Sequence, residues 1–298
     1  MTTRAGVAGA LLLAAVSLAA AVALQAARDA RYPREQALER AVMYVRSGPA
    51  LRRMALSFDA IAADVYWIRA LQHYGGDRRA VGRERRYELL YPLLDITTSL
   101  DPYFTIAYRF GAIFLAEPYP GGAGRPDQAV ALLRKGIAAQ PTKWQYFHDI
   151  AFVHYWQLRD MHAAAKWFRM AAEQPGAPNW LEPVAASMLI QGGDRASARF
   201  LLQQIRQSEE AWLQRMAARG LQQVDALDAI ELLQPIVAAN PPKPGEPFSW
   251  SSLVTRGVLR AAPLDPAGTP FDMDKLTGKV SVSEASELHP MPAARHIP

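Results

Sequence analysis

Hydrophobic positions follow three patterns along this chain. Residues 5–24 carry no charge, and their length matches the roughly 20 residues that a helix needs to cross a bilayer. Residues 56–74 instead place apolar side chains at Phe58, Ile61, Val65, Ile68 and Leu71. That spacing, near 3.6, predicts an amphipathic helix that buries this face and stops at Gly75-Gly76. From Tyr87 onward the chain reads as consecutive helices over 87–100, 103–116, 126–139, 180–190 and 195–206, with 143–174 holding another pair. Asn179 is a candidate cap for the helix that begins at Trp180. Two further helices are expected at 209–224 and 225–239, the second bent or shortened by Pro235. After Asn240 the pattern changes. Pro241, Pro242, Pro244 and Pro247 mark a linker, a short helix follows over 249–260, two short strands flank a turn at Asp274 to Gly278, and the chain from Glu284 is expected to be disordered.

The helical part repeats. Ala129, Ala164 and Ala198 are 35 and 34 residues apart, and the same intervals separate Leu133, Phe168 and Leu202 as well as Gly136, Ala171 and Ile205. Pro141 and Pro175 are 34 apart. A small residue, a bulky one four later, a small or medium one three further on and then a proline resembles the second helix of a tetratricopeptide repeat. The resemblance covers the region from Asp101-Pro102 to about Ile205, and in the first helices only Gly111, with Ala151 one repeat later, matches a family position. It implies an all-α, antiparallel helical-hairpin solenoid whose concave face, lined by first helices, holds a peptide or a partner protein. Counting back from Pro102 makes 87–100 the second helix of a divergent first repeat, with Leu90 at the small position.

On this frame the repeat at 143–174 is the richest in aromatics, and not all of them fit inside a two-layer hairpin. His148, Phe152, Tyr155 and Trp156 include face positions and are the candidate partner-binding residues, since aromatics with a polar handle suit recognition surfaces. The competing expectation is that they pack against adjacent repeats. In the N-terminal helix Asp64, Trp67 and Arg69 stand out, the charges as pairing or capping groups and the tryptophan as core, with a partner-contact role as the alternative.

Charge changes the picture at the N-terminal side only. Residues 28–88 hold 13 Arg and 8 acidic residues, which accounts for the net +5 of the 298-residue chain, whereas 89–298 hold 19 basic and 20 acidic. This reads as a basic segment beside an anionic membrane, without the aromatic-basic module of a nucleic-acid binder. Residues 5–24 predict an N-terminal transmembrane helix; the arginines that follow it argue by the positive-inside rule for a cytoplasmic body, whereas the short charged start before the apolar run and an element of the tail favour a single-pass protein of a bacterial inner membrane with its body in the periplasm. Ala21-Val22-Ala23 leaves a cleaved signal open as the alternative.

Chemistry is sparse. There is no cysteine, the histidines form no H-x-x-x-H pair, no G-x-S-x-G elbow occurs, and the glycines of 117–124 fit no phosphate-binding spacing. No catalytic residue, cofactor or metal is expected. Asp265-Pro-Ala-Gly-Thr-Pro-Phe271 resembles an element near the C terminus of type II secretion major pseudopilins, which raises Asp272 and Asp274 as calcium candidates by analogy. The chain thus divides into an anchor at 1–27, a connector at 28–54, a repeat array at 55–240 and a tail module at 241–298. The reading is a membrane-anchored adaptor that binds protein within an envelope assembly such as a pilus or secretion system, not an enzyme. A purely structural envelope protein is the alternative, and an enzyme with an unrecognised site the third.

Overall fold

The computed structural model describes residues 4–31, 47–79 and 87–292, and is mostly helical. The short helix expected between Pro33 and Pro49, and Arg83, Arg85 and Arg86 of the basic patch, lie outside the described residues. The chain forms two compact units, one closing at Asp101 and one running on from Pro102.

The first unit contains α1 (Arg4–Arg31), α2 (Gly48–Met54), α3 (Asp59–Arg79) and α4 (Leu90–Leu100). The expected transmembrane helix is corrected: among the described residues no helix is long and apolar enough to cross a membrane. The assignment to a bacterial inner membrane, single-pass with a periplasmic body, falls with it.

Helix α3 also departs from expectation, in two ways. It runs through Gly75-Gly76 to Arg79, and it buries Ala63, Tyr66, Ala70 and Tyr74, not the stripe at 58, 61, 65, 68 and 71. Periodicity finds the most hydrophobic side of a helix, but α3 packs on α4. At Ala63 and Ala70 the small side chains permit close approach, and Tyr66 and Tyr74 add contact area. Side chains of α3 complete the start of α4, which has no cap of its own: Asp77 accepts from the Tyr87 N–H at 2.8 Å and His73 Nε2 from the Leu89 N–H at 3.3 Å. Gly48 holds α2 against α4, since a Cβ there would collide with Ser99 Cβ.

The second unit stacks hairpins: α5 (Thr105–Ala116) with α6 (Pro126–Ala139), α7 (Trp144–Val153) with α8 (Met161–Ala172), and α9 (Leu181–Gln191) with α10 (Arg195–Ile205). Each second helix packs on the element that follows its hairpin, α6 on α7, α8 on α9, and α10 on α11 (Ala211–Ala239). The nine positions that recur at 34 and 35 residues lie on α6, α8 and α10 and are all buried. Asp160 and Asp194 start α8 and α10 by accepting the N–H groups of Ala163 and Ser197. Asn179 does not cap α9 as expected; its amide donates to the Glu210 carboxylate. Helix α11 is continuous where two helices were expected, and Pro235 is accommodated inside it. No glycine or proline interrupts residues 221–234, and Arg195 and Arg199 of α10 grip the middle of that span through Asp225, Asp228 and Glu231.

The tail is a folded module. Helix α12 (Trp250–Thr255) and a hairpin of β1 (Asp272–Met273) and β2 (Val280–Ser281) enclose Phe271, Val280, Val282 and Leu288 together with Ala226 and Val237 of α11. The expectation of disorder from Glu284 is corrected, because Ser286 and Leu288 are buried. Polar side chains of α11 supply what composition hides. Gln234 bonds the Gly278 carbonyl and the Val280 N–H, and Gln223 donates to the Leu288 and Pro290 carbonyls. Asp265 is buried and accepts from Ala267 N, Thr269 N and the Ser286 hydroxyl, tying the 265–271 loop to the tail.

Two outcomes test this packing. Ala164→Leu enlarges a fully buried contact and should cost about 1 to 3 kcal/mol, while Ala172→Leu, half-buried, costs less; equal melting temperatures would show the frame to be wrong. Asp265→Ala removes a buried carboxylate with three donors, worth about 1.5 to 3 kcal/mol per charged hydrogen bond before relaxation. Amide exchange should then accelerate selectively in residues 263–292, and an unchanged exchange pattern contradicts the assigned role.

Candidate functional site

Helices α5 and α7, the first helices of successive hairpins, lie against each other. Arg109 of α5 and Asp149 of α7 join them through two hydrogen bonds, Nε to Oδ2 at 2.5 Å and Nη2 to Oδ1 at 3.1 Å. The bond to Asp149 pushes the Arg109 pKa above its ordinary value. His148 Nδ1 is 2.9 Å from Asp149 Oδ1, so the carboxylate is shared by both partners. At the end of the helices Lys143 Nζ donates to Thr105 Oγ1 at 2.7 Å. Gly136 of α6 sits close under Tyr108 and Tyr146, where a Cβ would come within 3.1 Å of both rings.

The ion pair identifies which side of each helix faces the other. Ile106 and Ile113 lie one turn before and after Arg109, and Phe152 lies one turn after Asp149. Ile106, Phe110 and Ile113 are 53, 50 and 57% exposed, and Phe152 and Trp156 are 49 and 46% exposed. Apolar side chains therefore flank a charge-satisfied pair on both helices.

The four sequence candidates separate. His148 is half-buried at the centre of an aromatic cluster, with ring centroids of Trp144, Phe152, Phe168 and Trp180 at 5.7 to 6.0 Å. Phe152 stands outside the core. Tyr155 packs partly buried against the core of the second unit, whereas Trp156 points outward beneath the Arg159 guanidinium, 5.7 Å from its centroid. A π turn over His154–Leu158 separates these two neighbours from the regular helical register. It closes with the Arg159 N–H, and also the Asp160 N–H, on the His154 carbonyl, and Arg159 takes a φ of 56°, a left-handed conformation uncommon outside glycine. Burial also pulls the His154 pKa below its ordinary value.

Sequence reasoning missed the α5 stripe. The signal was present, as Ile106, Phe110 and Ile113 recur at four and three residues. The spacing marks an apolar side of the helix but not whether neighbouring helices cover it. A depression of about 520 Å³ lies between α8 and α10 and is lined by His162, Lys166, Arg169, Glu173 and the exposed Phe200 among others.

Among the described residues no group of three or more His, Asp or Glu could hold a metal ion. Asp274 accepts from the Leu276 and Thr277 N–H groups and from the Thr277 hydroxyl, and the bonds from Thr277 hold its carboxyl below the usual range. It makes a turn within the hairpin. No family model matches this chain, and neither a curated protein nor a solved structure does.

Tyr155→Ala should lower stability by on the order of 2 kcal/mol, below the 3 to 5 of a fully buried aromatic. Trp156→Ala should cost less than about 1 kcal/mol, as for surface positions. Thermal denaturation of both variants checks this, and equal losses would place Trp156 in the core.

Proposed function

We propose that this protein is a scaffold of the tetratricopeptide-repeat kind and that the outer side of α5 and α7 binds an amphipathic helical segment of another protein. The observation that carries this reading is the set of exposed apolar side chains, Ile106, Phe110 and Ile113 on one helix, Phe152 on its neighbour and Trp156 in the π turn that follows it, beside an Arg109–Asp149 pair that already satisfies itself. An incoming apolar face would leave the Arg109–Asp149 pair intact, so the desolvation cost that opposes burial of single charges is confined to Arg159 over the Trp156 ring. Partner side chains at helical spacing match a stripe that itself recurs at three and four residues. The burial of all nine recurring positions in α6, α8 and α10 supports the repeat assignment.

A photoreactive amino acid at Phe110, at Trp156 and, as control, at the exposed Leu232 of α11 tests the reading in cells. Positions 110 and 156 should join one and the same protein segment, with the control silent. Phe110→Ala and Trp156→Ala should each weaken capture of that segment by about 2 kcal/mol, roughly thirtyfold, with the melting transition little changed. Labelling no stronger at 110 and 156 than at 232 sinks the proposal in favour of a purely structural role.

A further inference from the structure

One arginine recurs with the repeat but meets a different neighbour in each hairpin. Arg134 of α6 and Arg169 of α8 are 35 residues apart, the interval that separates Ala129 from Ala164. Trp167 of α8 and Leu201 of α10 are 34 apart, as are Ala164 and Ala198. Between α6 and α8 the Arg134 guanidinium lies over the Trp167 ring, 5.5 Å from its centroid. Between α8 and α10 the equivalent pair is Arg169 and Leu201, so no indole lies beneath Arg169, and a depression of about 520 Å³ opens there instead. Ligand sites commonly enclose about 300 to 1,000 Å³.

The depression has an apolar floor and one cationic wall. Leu189 and Leu201 are buried at its base, and the α10 side presents Phe200, 61% exposed. Along α8 the lining residues His162, Lys166, Arg169 and Glu173 follow at four, three and four residues, which sets them on one helix side. From His162 to Arg169 the stripe runs about 10 Å, at a rise of roughly 1.5 Å per residue. His162 Nε2 is 3.8 Å from Asp194 Oδ2, whereas Lys166 and Arg169 make no side-chain hydrogen bond or ion pair among the described residues. Glu173 follows Arg169 by one turn and repels anions from that end. Two unpaired cations beside an apolar floor select an acidic ligand. Their spread along the helix suits an extended segment better than a single small head group.

We propose that this depression binds an acidic peptide segment of a partner protein through one aromatic side chain. The partner's tryptophan or phenylalanine fills the volume beside Leu201 and Phe200 under the Arg169 guanidinium, reproducing with a foreign ring the Arg134–Trp167 contact of the preceding hairpins. Its carboxylates lie toward Lys166, away from Glu173. Helices α8 and α10 both pack on α9, so the floor at Leu189 is in place before a ligand arrives. The site is built by second helices and is separate from the α5–α7 face. Neither depends on the other.

Leucine methyl resonances of the full chain report on the site directly, with the end-blocked peptide Glu-Glu-Ala-Trp-Ala as probe. The peptide should shift Leu189 and Leu201 with a Kd on the order of 0.1 to 1 mM at low salt, and bind more weakly as salt screens the exposed cations. Alanine in place of its tryptophan, or lysine in place of its glutamates, should each weaken binding at least about fivefold. In the protein, Lys166→Glu with Arg169→Glu should weaken it at least about tenfold, and since both side chains are exposed the melting temperature should hold. Leu201→Trp should return an internal ring beneath Arg169 and close the site to the peptide. Absence of any shift at Leu189 and Leu201 up to about 5 mM peptide overturns the proposal. So does equal binding of the three peptides, binding that survives the double charge reversal, or undiminished binding by a folded Leu201→Trp chain. A free aryl carboxylate, phenylpropionate, that binds as tightly as the peptide overturns the assignment to a peptide segment.

Discussion

Close approach of helices at small buried residues is the constraint on which the second unit depends. Ala129, Ala164 and Ala198 are fully inaccessible at equivalent places in α6, α8 and α10, and four residues on, the bulky Leu133, Phe168 and Leu202 occupy the interior. A helix can come that near to its neighbour only where no side chain extends past Cβ, and dense packing then fixes the neighbour's position. With α6, α8 and α10 each committed to the element on either side, apolar surface on α5 and α7 is left at the exterior. The candidate face follows from that allocation.

Polar side chains do the positioning that hydrophobic burial leaves undecided. Burial is non-directional, so it brings α5 to α7 without setting their rotation; the Arg109–Asp149 pair does that, and His148 shares the same carboxylate. In the tail, Gln223 and Gln234 hold backbone groups of a segment that has little regular structure. Those backbone groups need partners once covered, and α11 provides them from one helix side. The resulting module is small in apolar content and folded nonetheless.

Helix α3 shows the same economy in the other direction. Its aromatic and alanine side meets α4, and its most hydrophobic side meets nothing within the described structure of the first unit.

The sequence by itself determined the helical class, the repeat spacing, the bounds of α6, and the turn between β1 and β2. Each rests on local physics: the 3.6-residue period, proline at a helix's first position, and the Asp274-to-Gly278 turn. Tertiary structure alone decided which side of α3 is buried, because a helix with apolar residues on two sides carries no local record of which one meets a neighbour. It also decided the continuity of α11, the order of the tail to Pro292, and the split between Tyr155 and Trp156. In the last case a π turn changes the register, and the i-to-i+5 closure on His154 depends on where Asp160 must begin α8. The face on α5 lay between the two: its spacing is written in the sequence, but its exposure depends on what the other helices had already covered.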